Sequence, residues 1–400
     1  MTAPSDRVNH PISTPELERR WSAIRAAMEL EGLDVLLAQA NNDFMGGYVK
    51  YLTDFPATNG YVTTVVFPKD EPMTIIGQGA FGMEQRLPVE GDGLRRGVAR
   101  IVGTPSYASA HYTAAYDAEL AEVALERFAT GTIGMLGRAA ISFALIDSLR
   151  RGRLHGARFV DASAVVDPIK AVKSPHELEF VRLTAAAQDE AMGAAIAAIR
   201  PGMRELEVAA IAEQVGHAFG SEQGLFLTYS GAAAQPGQIV NRHLQHRVLE
   251  SGDQFKLLIE NNGPGGFYCE LGRSVVLGKA SAELRDQHRF ILEAQRFCLG
   301  LLRPGAECKD IWAAYNTFMR DQGRPEERRV HFHGQGYDMV ERPLVRFDET
   351  MPIHENVYFA LHPAFSTDRG YSFISDDFLL NGEGEIERLH RYPQELVELG

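Results

Sequence analysis

Glu260 and His333 are the residues whose surroundings point most directly to chemistry. Glu260 ends a mostly apolar segment, FKLLI, and is followed by the glycine-rich turn NNGPGG. A carboxylate at the end of a buried strand is costly unless it meets a partner or a cationic ligand. Glu260 is therefore a candidate nucleophile, general base or substrate counter-ion, with pairing to a local arginine or capping of the turn as the alternative. His333 stands in the string HGQG, where glycine permits close approach of the backbone, and a satisfied core histidine is its alternative.

An α/β framework over residues 1–165 precedes these side chains. A first helix opens at Thr14, which could cap it, with Pro15 next, and stops at Gly32. Helical patterns follow around 113–128 and 140–150. The predicted strands lie at Val35–Leu37, Tyr61–Phe67, Pro72–Gly77 and Ile133–Leu136. This alternation predicts a small α/β domain.

A second domain is predicted over residues 166–400, and it begins with one long alanine-rich helical pattern from Lys170 to Ala198. Ser174, Pro175 and Glu177 match a capping box at the start of a helix. The strands expected in this domain are Gln254–Glu260, Phe267–Leu277, Val357–Leu361 and Tyr371–Leu380.

The second domain contains an internal repeat. Arg200-Pro201-Gly202 and Arg303-Pro304-Gly305 each follow a long helical pattern. In both copies an acidic residue and a β-branched residue stand five and six positions after the glycine, where the next helix opens. The repeat predicts a duplicated helix–turn–helix unit whose strands cup a central cavity.

Composition limits the possible partners. Forty Lys and Arg against 53 Asp and Glu give a formal net charge of −13, and there is no basic tract, so nucleic acid is not an expected partner. No apolar run approaches the ~18 residues that span a bilayer, and no basic-then-apolar leader is visible, so no membrane partner is expected. Cys269, Cys298 and Cys308 form neither a disulfide framework nor a CxxC pair. We therefore predict a cytoplasmic protein, and its composition does not yet indicate any chemistry.

Six motifs follow one another in the second domain: KSPHELEFVR from Lys173, IRPGMRELEVAA from Ile199, Gly252-Asp253 before FKLLIE, GFYCELGR from Gly266, HGQGYDMVERP from His333 and ENVYFALHP from Glu355. In content and order they resemble the creatinase, aminopeptidase P and methionine aminopeptidase superfamily. The resemblance covers about residues 165–385 and implies an α+β fold with a C-terminal pita-bread domain. The N-terminal part resembles, more weakly, the smaller domain of creatinase and aminopeptidase P.

The resemblance also implies positions for metal ligands. Peptidases of this superfamily hold two metal ions with two Asp, one His and two Glu. The matching positions here are Ile259 (with Glu260 next to it), Glu270, His333, His362 and Ser375 (with Asp376 next), and Val340 replaces a further histidine. A dinuclear site needs several carboxylates, so these departures predict no metal and no cofactor, as in the metal-free creatinase branch. A single zinc on Glu270, His333 and His362 stays open.

The same resemblance suggests roles for individual residues. The predicted catalytic residues are Glu260, His333, His362 and Glu270, with orientation of a histidine as the alternative role for Glu270. The predicted substrate-binding residues are Tyr268, Tyr337, Glu341, Arg342 and His243. An ion pair is the alternative for Glu341, and a solvated polar strand is the alternative for His243. The arginines considered for a substrate carboxylate are Arg242, Arg342 and Arg346.

The substrate expected from this resemblance is ectoine, a cyclic amidine carboxylate. The catalytic Glu and His of creatinase fall on Gly272 and Asn241, whereas IENNGPGGFY and GQGYDMVERPL look closest to the ectoine hydrolase type. The alternatives are a creatinase-like hydrolase or lyase of another small charged metabolite, a Xaa-Pro peptidase-like protein and a non-catalytic binding module. The superfamily also implies a homodimer in which the partner's N-terminal domain closes the active site, with Asn42, Tyr48, Tyr51 and Asn59 as possible lid contacts.

Overall fold

The chain divides into two compact units, Met1–Lys170 and Ala171–Gly400. The computed structural model describes residues 9–42, 44–57, 60–88, 91–232 and 235–400, so Asn59 lies outside the described residues. Within these ranges, no helix combines the length and the apolar character that crossing a membrane requires.

The first unit is built on a seven-stranded mixed sheet in the order β4-β5-β3-β2-β1-β6-β7. Its strands are β1 Val35–Ala40, β2 Thr63–Pro68, β3 Met73–Gln78, β4 Glu84–Arg86, β5 Val98–Thr104, β6 Thr132–Leu136 and β7 Arg158–Asp161. Its helices are α1 Thr14–Leu30, α2 Gly47–Thr53, α3 Ala114–Leu125, α4 Phe143–Arg151 and α5 Ser163–Ala171. Apolar side chains of β1, β6, α3 and α4 form its core.

Helix α1 shows how local sequence sets an element boundary. It begins at Thr14 as predicted, with Pro15 in its first turn, but the capping position is Ser13 rather than Thr14. Leu17, Ile24 and Met28 recur at helical spacing on its buried face. The prediction was therefore right about the helix and wrong by one residue about its cap.

The second unit contains two main sheets, in the orders β18-β10-β9-β8 and β12-β11-β13-β16-β17, and a β14–β15 hairpin. Its helices are α6 Pro175–Ala198, α7 Glu205–Ala218, α8 Ala282–Leu299 and α9 Cys308–Asp321. Its strands are β8 Gly224–Ala232, β9 Asp253–Asn262, β10 Tyr268–Val276, β11 Phe332–Gly334, β12 Glu341–Leu344, β13 Val357–Leu361, β14 Ala364–Thr367, β15 Gly370–Phe373, β16 Asp376–Leu380, β17 Ile386–Arg388 and β18 Val397–Glu398. The α+β fold class is confirmed.

The internal repeat is confirmed by matching backbone contacts in its two halves. The amide of Gly202, in the turn between α6 and α7, donates to the Leu249 carbonyl at 2.8 Å. The amide of Gly305, in the turn between α8 and α9, donates to the Ile353 carbonyl, also at 2.8 Å. Both glycines have positive φ angles, 93° and 77°, a region that favours glycine. Each half therefore ties its helical turn to a later segment in the same way.

The two main sheets of this unit meet at Gly272. Its amide donates to the Ser375 carbonyl at 3.0 Å, and the Ser375 amide donates back to Gly272 at 3.2 Å. A Cβ on Gly272 would lie 2.3 Å from Cζ of Phe373, so no larger side chain fits without a shift. Gly272 matches the catalytic Glu of creatinase, and the space that a side chain there would need is thus occupied by the ring of Phe373.

Candidate active site

Two glutamates face each other on adjacent strands at the centre of the second unit. Glu260 on β9 is directly opposite Glu270 on β10 in the antiparallel register. Both side chains are buried, with 8% and 3% of each residue exposed. Ile259 and Leu271, one position out of phase, instead join the apolar core on the other face.

This register corrects one sequence correspondence. Matching the first metal-binding Asp of the peptidases to Ile259 cannot be right if Glu270 takes the second position, because Ile259 points to the opposite face from Glu270. The residue that faces Glu270 is Glu260. Glu260 therefore lies in the chemical centre itself, and it is not merely the neighbour of a residue in that centre.

Two histidines complete the centre. His333 lies on β11 and His362 directly follows β13, and their Nε2 atoms are 3.1 Å apart. His333 Nδ1 lies 3.0 Å from the Gly334 carbonyl, which can only accept, so this nitrogen carries the proton. His333 Nε2 then accepts from the Nε2–H of His362. The pair is thus a short path for a proton.

Glu270 lies within reach of both rings. Its Oε2 atom is 3.9 Å from His333 Nε2 and 4.0 Å from His362 Nε2, while its Oε1 accepts from the Ser375 hydroxyl at 2.8 Å. Glu260, Glu270, His333 and His362, which were predicted separately, therefore lie in one buried centre.

Burial controls the protonation of this centre. It raises the pKa of Glu260 well above the usual range, and the nearby Glu270 and Asp377 carboxylates add to the effect. It also raises the pKa of Glu270 to about 8. The same burial lowers the pKa of His333 to about 4 and that of His362 well below its usual value. At neutral pH burial consequently favours the uncharged forms of these groups, and a cation beside them would favour ionised carboxylates.

Gln335 is a buried polar residue beside Glu260 that sequence reasoning did not single out. The residue is fully buried, and neither its side-chain nitrogen nor its side-chain oxygen has a hydrogen-bond partner in the described part of the chain. The Gln335 amide lies close enough to Glu260 to lower the pKa of its carboxyl group. The sequence feature that could have indicated Gln335 is its position between two glycines in HGQG, because glycines allow a ligand or a neighbouring backbone to approach closely.

Next to the glutamates lies a charged triad of the buried residues Asp377 and His390 and the partly buried Asp189. The Glu270 amide donates to Asp377 Oδ2 at 2.9 Å, and His390 Nε2 is 3.3 Å from the same oxygen. His390 Nδ1 is 3.5 Å from Asp189. Burial alone lowers the pKa of His390, but the ion pairs with the two aspartates outweigh it and raise the pKa to about 9. The triad was missed because its members come from distant segments with no shared motif.

The five predicted substrate-binding residues have varied surroundings. Tyr268 is buried on β10, on the same face as Glu270, and its carbonyl accepts from the Tyr358 hydroxyl. Tyr337 is buried and stacks on Phe267, with ring centroids 4.4 Å apart. Both tyrosines thus lie close to the motifs that carry the centre.

The other three residues of that set contact different parts of the unit. Glu341 forms a buried ion pair with Lys173 at 3.3 Å, the alternative foreseen for it. Arg342 binds Glu349 through two nitrogens. His243 is exposed in the short turn Arg242–Leu244, and no recorded contact among the described residues joins it to the four central side chains.

The donor atoms of the centre suit one metal ion better than two. Glu270, His333 and His362 each offer one ligand atom, and these atoms lie within 4.8 Å of one another. Two histidines and one carboxylate could hold a single zinc-like ion at the usual ~2.0–2.2 Å, where it would act as a Lewis acid. A metal pair does not fit, because Glu260 is not part of this group and Ser375 offers a hydroxyl in place of a carboxylate.

The family model of metallopeptidase family M24 matches residues 179–382, and the chain belongs to this family. A Xaa-Pro dipeptidase of Pyrococcus furiosus is 23% identical over 273 residues, which are 67% of this chain and 76% of that protein. An uncharacterised hydrolase/peptidase of Sinorhizobium fredii is 25% identical over 391 residues, 95% of this chain and 96% of that protein. The solved structure of an X-Pro aminopeptidase from Thermotoga maritima has a TM-score of 0.76 at 19% identity and covers 94% of this chain and 99% of its own. These findings confirm the pita-bread fold, and family membership supports a hydrolase.

Proposed function

We propose that this protein is a hydrolase that opens the cyclic amidine ring of ectoine without a metal ion and yields N-acetyl-2,4-diaminobutyrate. The observation that carries the proposal is the buried centre in which Glu260 and Glu270 face each other beside two neutral histidines. Two buried carboxyl groups that face each other form a site for a compact cationic group, and the amidinium of ectoine is such a group. The motifs around Glu260 and His333 that resemble the ectoine hydrolase type support the same substrate.

The four residues suggest a division of roles. An amidinium between the glutamates would lower their pKa and leave Glu260 ionised. Glu260 would then take a proton from a water that adds to the amidine carbon. Alternatively, Glu260 would add to this carbon itself, and a water would afterwards break the bond between them and supply the oxygen of the product. As the ring carbon–nitrogen bond breaks, His333 and His362 would pass a proton to the departing nitrogen across their 3.1 Å contact. The unpaired amide of Gln335 would bond to the substrate beside Glu260.

A second candidate function is peptide cleavage at a Xaa-Pro bond with a single metal ion. It is favoured by the convergence of Glu270, His333 and His362 and by the dipeptidase among the relatives. The loss of the last carboxylate position to Ser375 weighs against it, since it leaves fewer groups to neutralise a metal.

Two further alternatives from the sequence have less support. A creatinase-like hydrolase or lyase of another small charged metabolite would have to dispense with a carboxylate at Gly272, where a Cβ already meets Phe373. A non-catalytic binding module would have no use for two histidines placed to exchange a proton.

The homodimer and the cytoplasmic location belong to the same proposal. We infer that the partner's N-terminal domain closes the site, with Asn42 and Tyr48 as lid contacts. Tyr51 suits this role less, because it is buried inside the first unit. The three cysteines are free and buried, which agrees with a reducing compartment.

One comparison tests the proposal. Ring opening of ectoine and cleavage of a Xaa-Pro dipeptide are measured with and without a chelator, for the wild type, Glu260→Gln and the matched surface variant Glu387→Gln. We expect chelator-resistant ring opening that is lost in Glu260→Gln and kept in Glu387→Gln, whose side chain is half exposed and pairs with Arg182. Chelator-sensitive peptide cleavage would establish the metal-dependent alternative, and ring opening that survives Glu260→Gln would remove Glu260 from the mechanism.

A further inference from the structure

A concavity lies next to the segment that follows His362. It has a volume of ≈ 440 Å³ and is lined by, among others, Arg329, Tyr371, Phe365, Ser366, Glu326 and Ala364. Arg329 Nη2 lies 3.4 Å from the His362 carbonyl, and Ala364 follows His362 by two residues. The wall of the concavity therefore includes residues that contact His362 or follow it closely in the chain.

Arg329 is held in a fixed orientation at this place. Its Nε and Nη2 atoms donate to the buried carboxylate of Glu327 at 3.0 and 2.5 Å. Glu327 is itself fixed, because its amide donates to the side chain of Asn316 at 2.8 Å. Because a buried carboxylate binds the guanidinium through Nε and Nη2, the orientation of the group is fixed and its Nη1 atom points in a defined direction.

The outer part of Arg329 is available. Its side chain is 47% exposed, and its Nη1 atom donates no hydrogen bond within the described residues. Glu326, the acid among the lining residues named above, is paired with Arg320. The surface that remains is one cationic donor beside the rings of Tyr371 and Phe365 and the Ser366 hydroxyl.

We infer that Arg329 binds the carboxylate of a small zwitterionic substrate whose cationic end lies between Glu260 and Glu270. The inference rests on the proposed function and deepens it, since it assigns the opposite end of the substrate to a named residue. One end of the site offers carboxyl groups and the other a guanidinium, so the site selects molecules that carry both charges. Arg329 Nη2 lies 3.4 Å from the carbonyl of His362, and the ring of the same histidine lies 4.0 Å from Glu270, so one residue connects the two ends.

The arginines considered from the sequence are less suitable. Arg242 pairs with Glu213 and is largely exposed, and Arg346 pairs with its neighbour Asp348 on the surface. Arg342 is bound through two nitrogens to Glu349. None of the three lines the concavity beside His362.

The test compares ectoine with its neutral carboxamide in the wild type, Arg329→Gln, Arg329→Lys and the matched surface variant Arg346→Gln. For Arg329→Gln we expect kcat/KM on ectoine to fall roughly ten- to hundredfold, mainly through KM, while kcat/KM on the carboxamide changes little. Arg329→Lys retains the charge without the planar fork, so it should keep part of the preference for the carboxylate. The ratio of the two kcat/KM values is independent of the folded fraction, so partial loss of folding does not obscure it.

Each outcome separates the inference from the function on which it rests. If the wild type opens ectoine and Arg329→Gln keeps the wild-type preference over the carboxamide, the inference is overturned and the proposed function stands. An equal loss in Arg346→Gln would overturn it as well, because the effect would then be one of surface charge. If the wild type opens neither compound, the proposed function fails and the inference fails with it.

Discussion

At the residue scale, burial sets the protonation of the four central side chains. It is the largest influence on the pKa of Glu260, Glu270, His333 and His362, and it acts against the charged form in every case. Burial thus favours the uncharged forms of these four side chains as long as no charged ligand lies beside them. A cationic substrate, as proposed above, would favour the ionised form of the two carboxyl groups.

His362 is the residue through which proton transfer can be tested. Replacing it by asparagine removes a group that can gain and lose a proton, and it leaves His333 Nε2 without its present donor. Loss of a general acid or base costs roughly 10²- to 10⁴-fold in rate, so we expect kcat of His362→Asn to fall by about that factor with a smaller change in KM. Steady-state kinetics of ectoine opening measure both constants.

The control is His243→Asn, because His243 is exposed and makes no recorded contact with the centre in the described residues. We expect kcat of this variant to remain at the wild-type value. A large loss in His243→Asn would restore this histidine to the site, and an unchanged kcat in His362→Asn would contradict the proton path.

At the scale of elements, the capping box was predicted correctly, whereas several element boundaries were not. The capping box at Ser174 is confirmed, because its two hydrogen bonds join residues three apart and need no other part of the chain. The long helical pattern from Lys170 proved to be two elements, α5 and α6, since that cap starts a new helix. The single strand expected over Tyr371–Leu380 is two strands, since β15 pairs with β14 and β16 pairs with β13.

The candidate site shows the same limit. Glu260 and His333 could be proposed from their immediate neighbours, and Glu270 and His362 from a family resemblance. Which face Glu260 points to depends on the pairing of β9 with β10, and a slip of one residue reverses it. Arg329 has no local signal that distinguishes it from Arg328, because its role comes from Glu327 and from the concavity that it lines.

Gly272 offers a test of how tightly the two sheets of the second unit meet. In Gly272→Ala the added Cβ would lie 2.3 Å from Phe373 Cζ, so a buried ring must shift. We expect a loss of about 1–3 kcal/mol in the free energy of unfolding, the usual cost of overpacking a core. Chemical denaturation followed by circular dichroism measures this loss.

The matched variant is Gly193→Ala in the middle of α6. A Cβ there would be 3.6 Å from the Tyr392 ring, an ordinary contact, so the better helix propensity of alanine should stabilise this variant by up to about 1 kcal/mol. Equal stability of Gly272→Ala and the wild type would show that the ring yields freely. A joint variant with Phe373→Leu should recover part of the loss if the contact is its cause.

At the scale of the whole molecule, the surface excess of acid and the buried charges play different parts. The net charge of −13 has no assigned role and is taken as a solvated surface. Buried groups with displaced pKa values decide how stability depends on pH. They act in opposite directions: burial lowers the pKa of Lys256 to about 7, whereas the pKa of His390 is raised to about 9. The pH profile of the wild type alone therefore cannot isolate either group.

The contribution of His390 follows from comparison with His390→Gln. Its folded pKa of about 9 exceeds the unfolded value of 6.5, because Asp189, Asp377 and Asp376 outweigh the effect of burial. The stabilisation is thus complete below pH 6.5, decreases as the pH rises between the two values, and is lost above about 9. This difference between the folded and unfolded pKa values corresponds to a contribution of about 3 kcal/mol to the free energy of unfolding. We expect the gap in unfolding free energy between wild type and His390→Gln to narrow by about that amount from pH 6 to pH 9.5, as measured by denaturant titration at each pH.

In His243→Gln, at an exposed position, the gap should stay constant across the same range. A gap for His390→Gln that stays equally constant would mean that His390 is held neutral between its two aspartates, and the triad next to the glutamates would then carry no positive charge.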